Sequence, residues 1–185
     1  LHGWPGLPSD YDAVVERLGG VAHLVPALEG FGEAFHGPLA PGEASADEHA
    51  RRVLAALPRD AELVVVGYDI GSRIAQAIVR AEGERVVGAV LTPGYPGIGA
   101  RAAAPELADR FWYQHFHRTQ LAERLVDGRP DAVRAYLGHL LGAWSPSAAL
   151  ASGERFDDVV RAYARPGAFT ASIAWYRDNV GYAGG

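Results

Sequence analysis

The sequence predicts an α/β fold whose second half is entirely helical. Short, continuously apolar runs such as Leu63 to Val66 and Val86 to Leu91 read as buried parallel strands. Helical periodicity separates them, and beyond Gly99 the strand signal stops. The expected organisation is an α/β part over residues 1–100 and an all-helical part over residues 101–185.

Each element has its own signal. Ser9 with Asp12 three residues on resembles a capping box, and Tyr11, Val14, Val15 and Leu18 keep helical spacing up to the Gly19-Gly20 stop. Val21 to Leu28 is a short apolar run ending in turn residues and reads as a buried strand. Glu29 to Gly42 is rich in Gly and Pro and reads as a surface loop. Ser45 with Glu48 opens a helix that turns Val53, Leu54 and Leu57 to the core until Pro58 stops it. Glu62 to Gly67 is the second strand, followed at once by a helix through Ile70, Ile74, Ala77 and Ile78, and Arg85 to Thr92 is the third strand. In the helical part, Pro105 to Val126 reads as helix, and Val133, Tyr136, Leu137, Leu140 and Leu141 form an amphipathic stripe. Glu154 to Tyr163 and Gly167 to Val180 follow, separated by Arg165-Pro166.

Composition removes several functions. The 185 residues carry 17 basic against 22 acidic side chains, a net charge of −5, with no long basic run that could track a phosphate backbone. A nucleic-acid partner is disfavoured. No apolar run approaches the roughly 20 residues that span a bilayer, so no membrane partner is expected. Without cysteine there is no disulfide framework or thiolate metal site, and no segment at the start looks like a secretory signal; a cytoplasmic location is the expectation. The chain also lacks methionine and begins at Leu1 directly before a His-Gly-Trp-Pro turn, as if cut at the front. Gly181 to Gly185 shows no final element of its own.

The segment with chemical content is Val64-Val65-Val66-Gly67-Tyr68-Asp69-Ile70-Gly71-Ser72. A strand runs into a helix through a small-x-Asp-x-small turn, with Asp69 where a nucleophile elbow presents its reactive residue. Gly67 and Gly71 permit the tight turn, which lifts residue 69 to the carboxyl edge of the sheet, where open parallel sheets bind ligands. The Ile70 N–H, at a helix N-terminus, would face developing negative charge. As a bare turn, the same residues also fit an Asp69 N-cap. His2-Gly3-Trp4-Pro5-Gly6 is a second turn that can aim the Trp4 N–H at the same oxyanion position, although alone it also fits an ordinary Gly/Pro turn.

With both turns in this order, the chain resembles the α/β-hydrolase superfamily and, within it, the epoxide hydrolases. The resemblance covers nearly the whole chain and implies a partial α/β-hydrolase core followed by a helical cap. Family members use two cap tyrosines on the epoxide oxygen. Phe111-Trp112-Tyr113-Gln114-His115-Phe116 matches the first context and Ala174-Trp175-Tyr176-Arg177 the second. The resemblance therefore implies Asp69 as nucleophile, Tyr113 and Tyr176 as proton donors, and Trp4 and Ile70 as oxyanion-hole donors. His2, Pro5, Tyr68, Trp112, Phe116 and Trp175 are the expected pocket wall. The implied reaction is backside attack of a carboxylate on an epoxide carbon, giving an alkyl-enzyme ester that water hydrolyses to a vicinal diol. The leaving alkoxide is far more basic than a phenol, so a tyrosine can protonate it as the C–O bond breaks. The partners implied are a small apolar epoxide and water, with no cofactor and no metal. Taken singly, each tyrosine also fits a core aromatic of the cap.

Other candidates fail on spacing. His115 and His117 stand two apart on a helix and do not share a face. Ser72 lies past the elbow apex and reads as a surface or early-turn hydroxyl, and Asp157-Asp158 as helix-start charge.

The chain departs from the family at its end. The family's water-activating histidine and its acid partner follow the cap, yet this chain stops nine residues past Tyr176, and His23, His36, His49 and His139 do not match that context. The expectation is an internal fragment of an ether-bond hydrolase that alone cannot complete turnover. In the family's strand order, a strand ending at Leu1 separates Val21–Leu28 from Glu62–Gly67, so a gap or unpaired sheet edges are expected. A haloalkane or haloacid dehalogenase shares the aspartate elbow, but Ile70 supplies none of the side-chain halide donors that follow the nucleophile there. A non-catalytic binding protein of the same fold is the third alternative.

Overall fold

The computed structural model describes residues 1–92, 105–145 and 148–179. The predicted domain boundary at residue 100, the end of the last predicted helix at Val180 and the Gly181 to Gly185 tail lie outside the described residues.

Two parallel strands, β1 (Leu63–Gly67) and β2 (Val86–Leu91), form the sheet among the described residues, with Val64 opposite Gly88 and Gly67 opposite Leu91. The predicted strand over Val21 to Leu28 is not one. Val21 and Leu24 are 58% and 46% exposed, and the place beside β1 is held by Leu1, whose N donates to the Val66 carbonyl at 2.7 Å. The Tyr68 N–H returns to the Leu1 carbonyl at 3.3 Å, and Leu28 N donates instead to His2 Nε2 at 3.4 Å. An apolar run becomes a strand only where a neighbouring backbone offers it a ladder.

Helix α1 (Asp12–Leu18) follows a 3-10 turn over Pro8–Tyr11. It is not capped by Ser9: its N-cap is Tyr11, which makes no side-chain cap hydrogen bond, and Asp10 instead caps the preceding 3-10 turn, accepting the Leu7 N–H at 3.2 Å. Helix α2 (Ala46–Ala55) is capped as predicted, Ser45 Oγ accepting from Glu48 N at 3.3 Å, and buries Val53. Helix α3 (Ile70–Ala81) follows β1 directly and buries Ile70, Ile74, Ala77 and Ile78. Among the described residues, α3 covers one face of β1. The other face, predicted buried, is open: Val64, Val66 and Val90 are 65%, 37% and 55% exposed.

The loop over Glu29 to Gly42 is less superficial than predicted, because Phe31 is 1% exposed and sits edge-on to His2. The Arg165 guanidinium donates to the Gly32 carbonyl and covers the Phe35 ring at 5.2 Å, tying this loop to the helical part.

The helical part contains α4 (Pro105–Arg110), α5 (Trp112–His117), α6 (Gln120–Val126), α7 (Pro130–Trp144), α8 (Glu154–Tyr163), α9 (Ala168–Ile173) and α10 (Trp175–Asp178). The helix predicted through Pro105–Val126 is three short ones. Thr119, in extended conformation, breaks the last junction. The segment from Gly167 likewise breaks at Ala174. Asp127 caps α9 from outside, accepting Gly167 N at 2.8 Å and Thr170 N at 2.9 Å. Asp178 and Asn179 reach back to the α/β part, accepting the Ala44 and Ala46 N–H groups, both at 2.9 Å. Through these contacts one core runs from β1 and α3 into α5, α7 and α8. No helix among the described residues is long and apolar enough to cross a membrane.

Candidate active site

The turn between β1 and α3 places Asp69 at φ +55°, ψ −126°, the single non-glycine residue with positive φ among the described residues. Such a backbone costs on the order of 1–3 kcal/mol and persists only where its surroundings enforce it. Here close packing enforces it. A Cβ on Gly67 would lie 2.9 Å from Ser72 N, and one on Gly71 would lie 2.6 Å from the His2 carbonyl. A Cβ on Gly3 would meet Tyr68 Cε2 at 2.5 Å and Asp69 Cβ at 2.7 Å, so the His2–Gly6 turn lies directly on the elbow. Ser72 is buried rather than superficial: its Oγ donates to the carbonyls of Gly67 at 2.8 Å and Thr92 at 2.6 Å, joining the ends of both strands.

The Asp69 carboxylate accepts the Ile70 N–H at the head of α3. Burial nevertheless outweighs that bond and pushes its pKa up to about 7. The residue itself is only half-buried, which leaves a way in. Ile70, an expected oxyanion donor, is therefore at the carboxylate. Trp4, whose peptide to Pro5 is cis, follows the glycine in contact with Asp69.

The Trp4 side chain turns into the helical part. Its Nε1 donates to Ser172 Oγ at 3.1 Å, and its ring stacks on Tyr113 with centroids 5.9 Å apart and planes 10° apart. Tyr176 meets the same indole edge-on at 5.8 Å, and the two phenol rings lie 5.8 Å apart at 86°. Tyr113 and Tyr176 are 4% and 8% exposed. Burial raises both hydroxyls above the ordinary phenol range, and the Asp69 charge raises both further. The Tyr176 hydroxyl is buried without a hydrogen-bond partner. Trp4, Tyr113 and Tyr176, distant in sequence, thus share one buried aromatic group, and the turn that carries Trp4 lies on Asp69.

The expected pocket wall is brought together only in part. Tyr68 packs on Gly3 but directs its hydroxyl to Asp10. His2 is fully buried, with Nδ1 hydrogen-bonded to the Gly3 carbonyl at 2.9 Å and Nε2 accepting from Leu28; burial lowers its pKa to about 4, so it is a neutral strut of the turn. Pro5 is half-buried in that turn. Trp175 is buried against His49 at 6.0 Å. Trp112 is 40% exposed and packs on Phe116, Tyr136 and His139, so it and Phe116 lie to one side of the Trp4, Tyr113 and Tyr176 group.

Three neighbours escaped the sequence reading. Trp144 stands 4.9 Å from Tyr113. Tyr163 donates to the Gly6 carbonyl at 3.0 Å and accepts its N–H at 3.1 Å, locking the turn to α8. His117 is fully buried, 4.5 Å from Trp4 and 4.6 Å from Tyr176, whereas His115 is exposed. His117 and Tyr163 sit on the buried faces of α5 and α8, which periodicity could have flagged; Trp144 carried no such signal. No group of three or more potential ligand residues able to hold a metal occurs among the described residues.

No protein-family model and no curated protein matches the sequence. Solved structures do match. A Nostoc sp. PCC 7120 protein assigned to the α/β hydrolases superposes with a TM-score of 0.81 at 20% identity, covering 96% of this chain and 63% of that one. The epoxide hydrolase CorEH matches with a TM-score of 0.81 at 23% identity, over 97% of this chain and 64% of that one. A Salmonella enterica protein assigned as an acyltransferase matches with a TM-score of 0.79 at 20% identity, over 95% of this chain and 60% of that one. The chain thus spans somewhat under two thirds of the length of these structures. Identities this low establish shared architecture and leave the reaction to the chemistry of the site. Parallel strands, a strand-to-helix turn at Asp69 and a helical layer above it together make this chain part of an α/β-hydrolase fold.

Proposed function

We propose that the chain carries the ring-opening half of an epoxide hydrolase. The observation that supports this most is geometric: the turn carrying Trp4 packs through Gly3 on the elbow aspartate, and the Trp4 ring meets two buried phenols, Tyr113 and Tyr176. A carboxylate oxygen of Asp69 attacks an epoxide carbon, the C–O bond breaks, and Tyr113 or Tyr176 gives its proton to the leaving oxygen. The product is a 2-hydroxyalkyl ester of Asp69. Burial suits both partners: it makes the carboxylate more basic and keeps the phenols protonated. An apolar surround of Trp4 and Trp144 favours a small apolar epoxide. Hydrolysis of the ester to a diol would complete the cycle in the whole enzyme.

The fold also hosts other ester-forming chemistry, and the phenol pair separates the readings. Two O–H donors suit a basic oxygen leaving group, whereas the residue after Asp69 is Ile70, with no side-chain donor for a halide. Intact mass spectrometry after incubation with 1,2-epoxyhexane tests the assignment. A single adduct of the epoxide's mass is expected, absent from Asp69→Asn. Folded protein that takes up no adduct would overturn it, and adducts from chloroalkanes with loss of chloride would favour a dehalogenase.

A further inference from the structure

Tyr176 stands on α10, a helix of four residues whose own hydrogen bonds are too few to fix where it lies. The side chains that follow Tyr176 fix it instead. Asp178 and Asn179 hold one side of α10 to the backbone of Ala44 and Ala46 at the start of α2. Arg177 holds the other side to the helix of the second phenol. Its Nη2 donates to the His117 carbonyl at 3.3 Å and the Thr119 carbonyl at 3.4 Å, and its Nη1 is ion-paired with the Glu123 carboxylate. His117 ends α5, one turn past Tyr113 and on the same face, and Glu123 stands in the first turn of α6. One guanidinium therefore spans the end of α5, the extended residue that breaks it from α6, and α6 itself. Both charged groups are partly open to water, where an ion pair adds little to stability, and the Arg177 Nε is buried with no partner. What this planar fork fixes is geometry.

We propose that Arg177 is a positioning residue for ring opening, holding α10 against α5 so that the Tyr176 and Tyr113 hydroxyls converge on one epoxide oxygen. The inference rests on the ring-opening reading, in which both phenols serve the leaving oxygen. Arg177 touches neither substrate nor reacting atoms and acts through Tyr176. The Tyr176 hydroxyl is buried with no hydrogen-bond partner, so no contact of its own oxygen sets its position. Ring packing does not set it either. The two phenol rings lie 5.8 Å apart at 86°, and aromatic pairs tolerate separations from about 4.5 to 7 Å. A hydroxyl reaches an oxygen only over about 2.5 to 3.0 Å. A slide of α10 by about 1 Å would keep the ring contact and lose the hydrogen bond to the leaving oxygen, a displacement that can cost about 100-fold in rate. The directional bonds of Arg177, made by the residue next to Tyr176, oppose that slide.

The test is single-turnover adduct formation with 1,2-epoxyhexane, followed by intact mass from seconds to days so that slowed variants are still timed. Arg177→Lys keeps the charge but cannot reach two carbonyls and Glu123 together. It is expected to slow adduct formation by about tenfold or more, in the maximum rate rather than in the epoxide concentration that gives half of it. Glu123→Gln keeps the shape and loses the ion pair; it should act in the same sense, less strongly, and keeps the test open if Arg177→Lys fails to fold. In a Tyr176→Phe background, itself slower than the parent, each substitution should change the rate by less than about twofold, because the hydroxyl it positions is gone. Equal slowing in both backgrounds, or no slowing in the parent background, overturns the positioning role alone. No adduct on the folded parent chain overturns it together with the ring-opening assignment.

Discussion

The indole of Trp4 lies flat on the phenol of Tyr113, with ring planes 10° apart, while its Nε1 donates to Ser172 across the molecule. One side chain therefore ties the turn beside Asp69 to two cap helices. Trp4→Phe keeps an aromatic ring and loses the hydrogen bond, leaving Ser172 Oγ its bond to the Phe169 carbonyl at 2.8 Å. A loss of about 1 kcal/mol is expected. Trp4→Ala removes the ring as well and should cost about 3–5 kcal/mol. Urea unfolding of both variants checks the difference, and equal losses would show that the stacking contributes nothing.

Gly71 and Gly142 are both helical glycines, with opposite predicted outcomes. A Cβ at 71 would stand 2.6 Å from the His2 carbonyl, a backbone atom that cannot yield without moving the turn, whereas nothing lies within 4 Å of one at 142. Gly71→Ala should cost about 2 kcal/mol or more and displace the His2–Gly6 turn from Asp69. Gly142→Ala, inside α7, should stabilise by roughly 0.5–1 kcal/mol. Thermal unfolding of the two variants decides the sign.

The nucleophile and the acids titrate on different sides of neutrality. Asp69 is reactive only as carboxylate, and burial holds its pKa up at about 7. Tyr113 and Tyr176 stay protonated well beyond the ordinary phenol range, chiefly through burial. The rate of adduct formation should therefore rise with pH to a plateau, with a midpoint near 7, and show no fall through the range where free tyrosine ionises, near pH 10. A midpoint near pH 4 would mean that the carboxylate is well solvated.

What the sequence revealed and what it hid divide along physical lines. The elbow was legible because Gly67, Gly71 and Gly3 are demanded by contacts of the local backbone, which any other residue would break. Helices α2 and α3 were legible because their caps and apolar spacing are local too. The Val21 to Leu28 run was misleading because a strand is a relation between two segments, and the composition of one does not say what lies beside it. The breaks at Thr119 and Ala174 carry no Gly or Pro signal, and the short helices that meet there pack on one another rather than within one window of sequence. Tyr113 and Tyr176 were reached through local aromatic contexts; Trp144 and Tyr163 join them only through tertiary contact.

The open face of the sheet predicts a solution property. Val64, Val66 and Val90 stand on one face, and Gly88 beside Val64 adds no side chain to cover it. An uncovered apolar strip of this kind promotes association. Replacing Val64 and Val90 together by Thr keeps β-branched residues and should leave unfolding free energy within about 0.5 kcal/mol. Binding of a hydrophobic fluorescent dye and light scattering should both fall. Unchanged dye binding would locate the sticky surface elsewhere.

Acid should weaken the fold through its buried histidines. Desolvation lowers the pKa of His2 and His49 to about 4 and of His117 to about 3, against an ordinary 6.5. Above about pH 6.5 neither the folded nor the unfolded chain protonates them, and their effect on stability is constant. Between pH 6.5 and 4 the unfolded chain takes up protons that the folded chain refuses. Stability then falls with pH by roughly 1.4 kcal/mol per unit for each histidine. Asp69 acts in the other direction: its folded pKa of about 7 exceeds the ordinary 3.8, so the folded chain holds a proton that the unfolded chain releases over that range. This favours the folded state as pH falls, but it is one group against three. The net result is a loss of stability from about pH 6.5 to 4, measurable by urea midpoints across that range. Asp69→Asn isolates the opposing part. Asparagine tolerates the positive φ at residue 69 and carries no charge to desolvate. The variant should match the parent near pH 4, gain on it as pH rises, and exceed it by on the order of 4 kcal/mol above pH 7. Stability curves that stay parallel across this range would show that the Asp69 carboxylate is not desolvated.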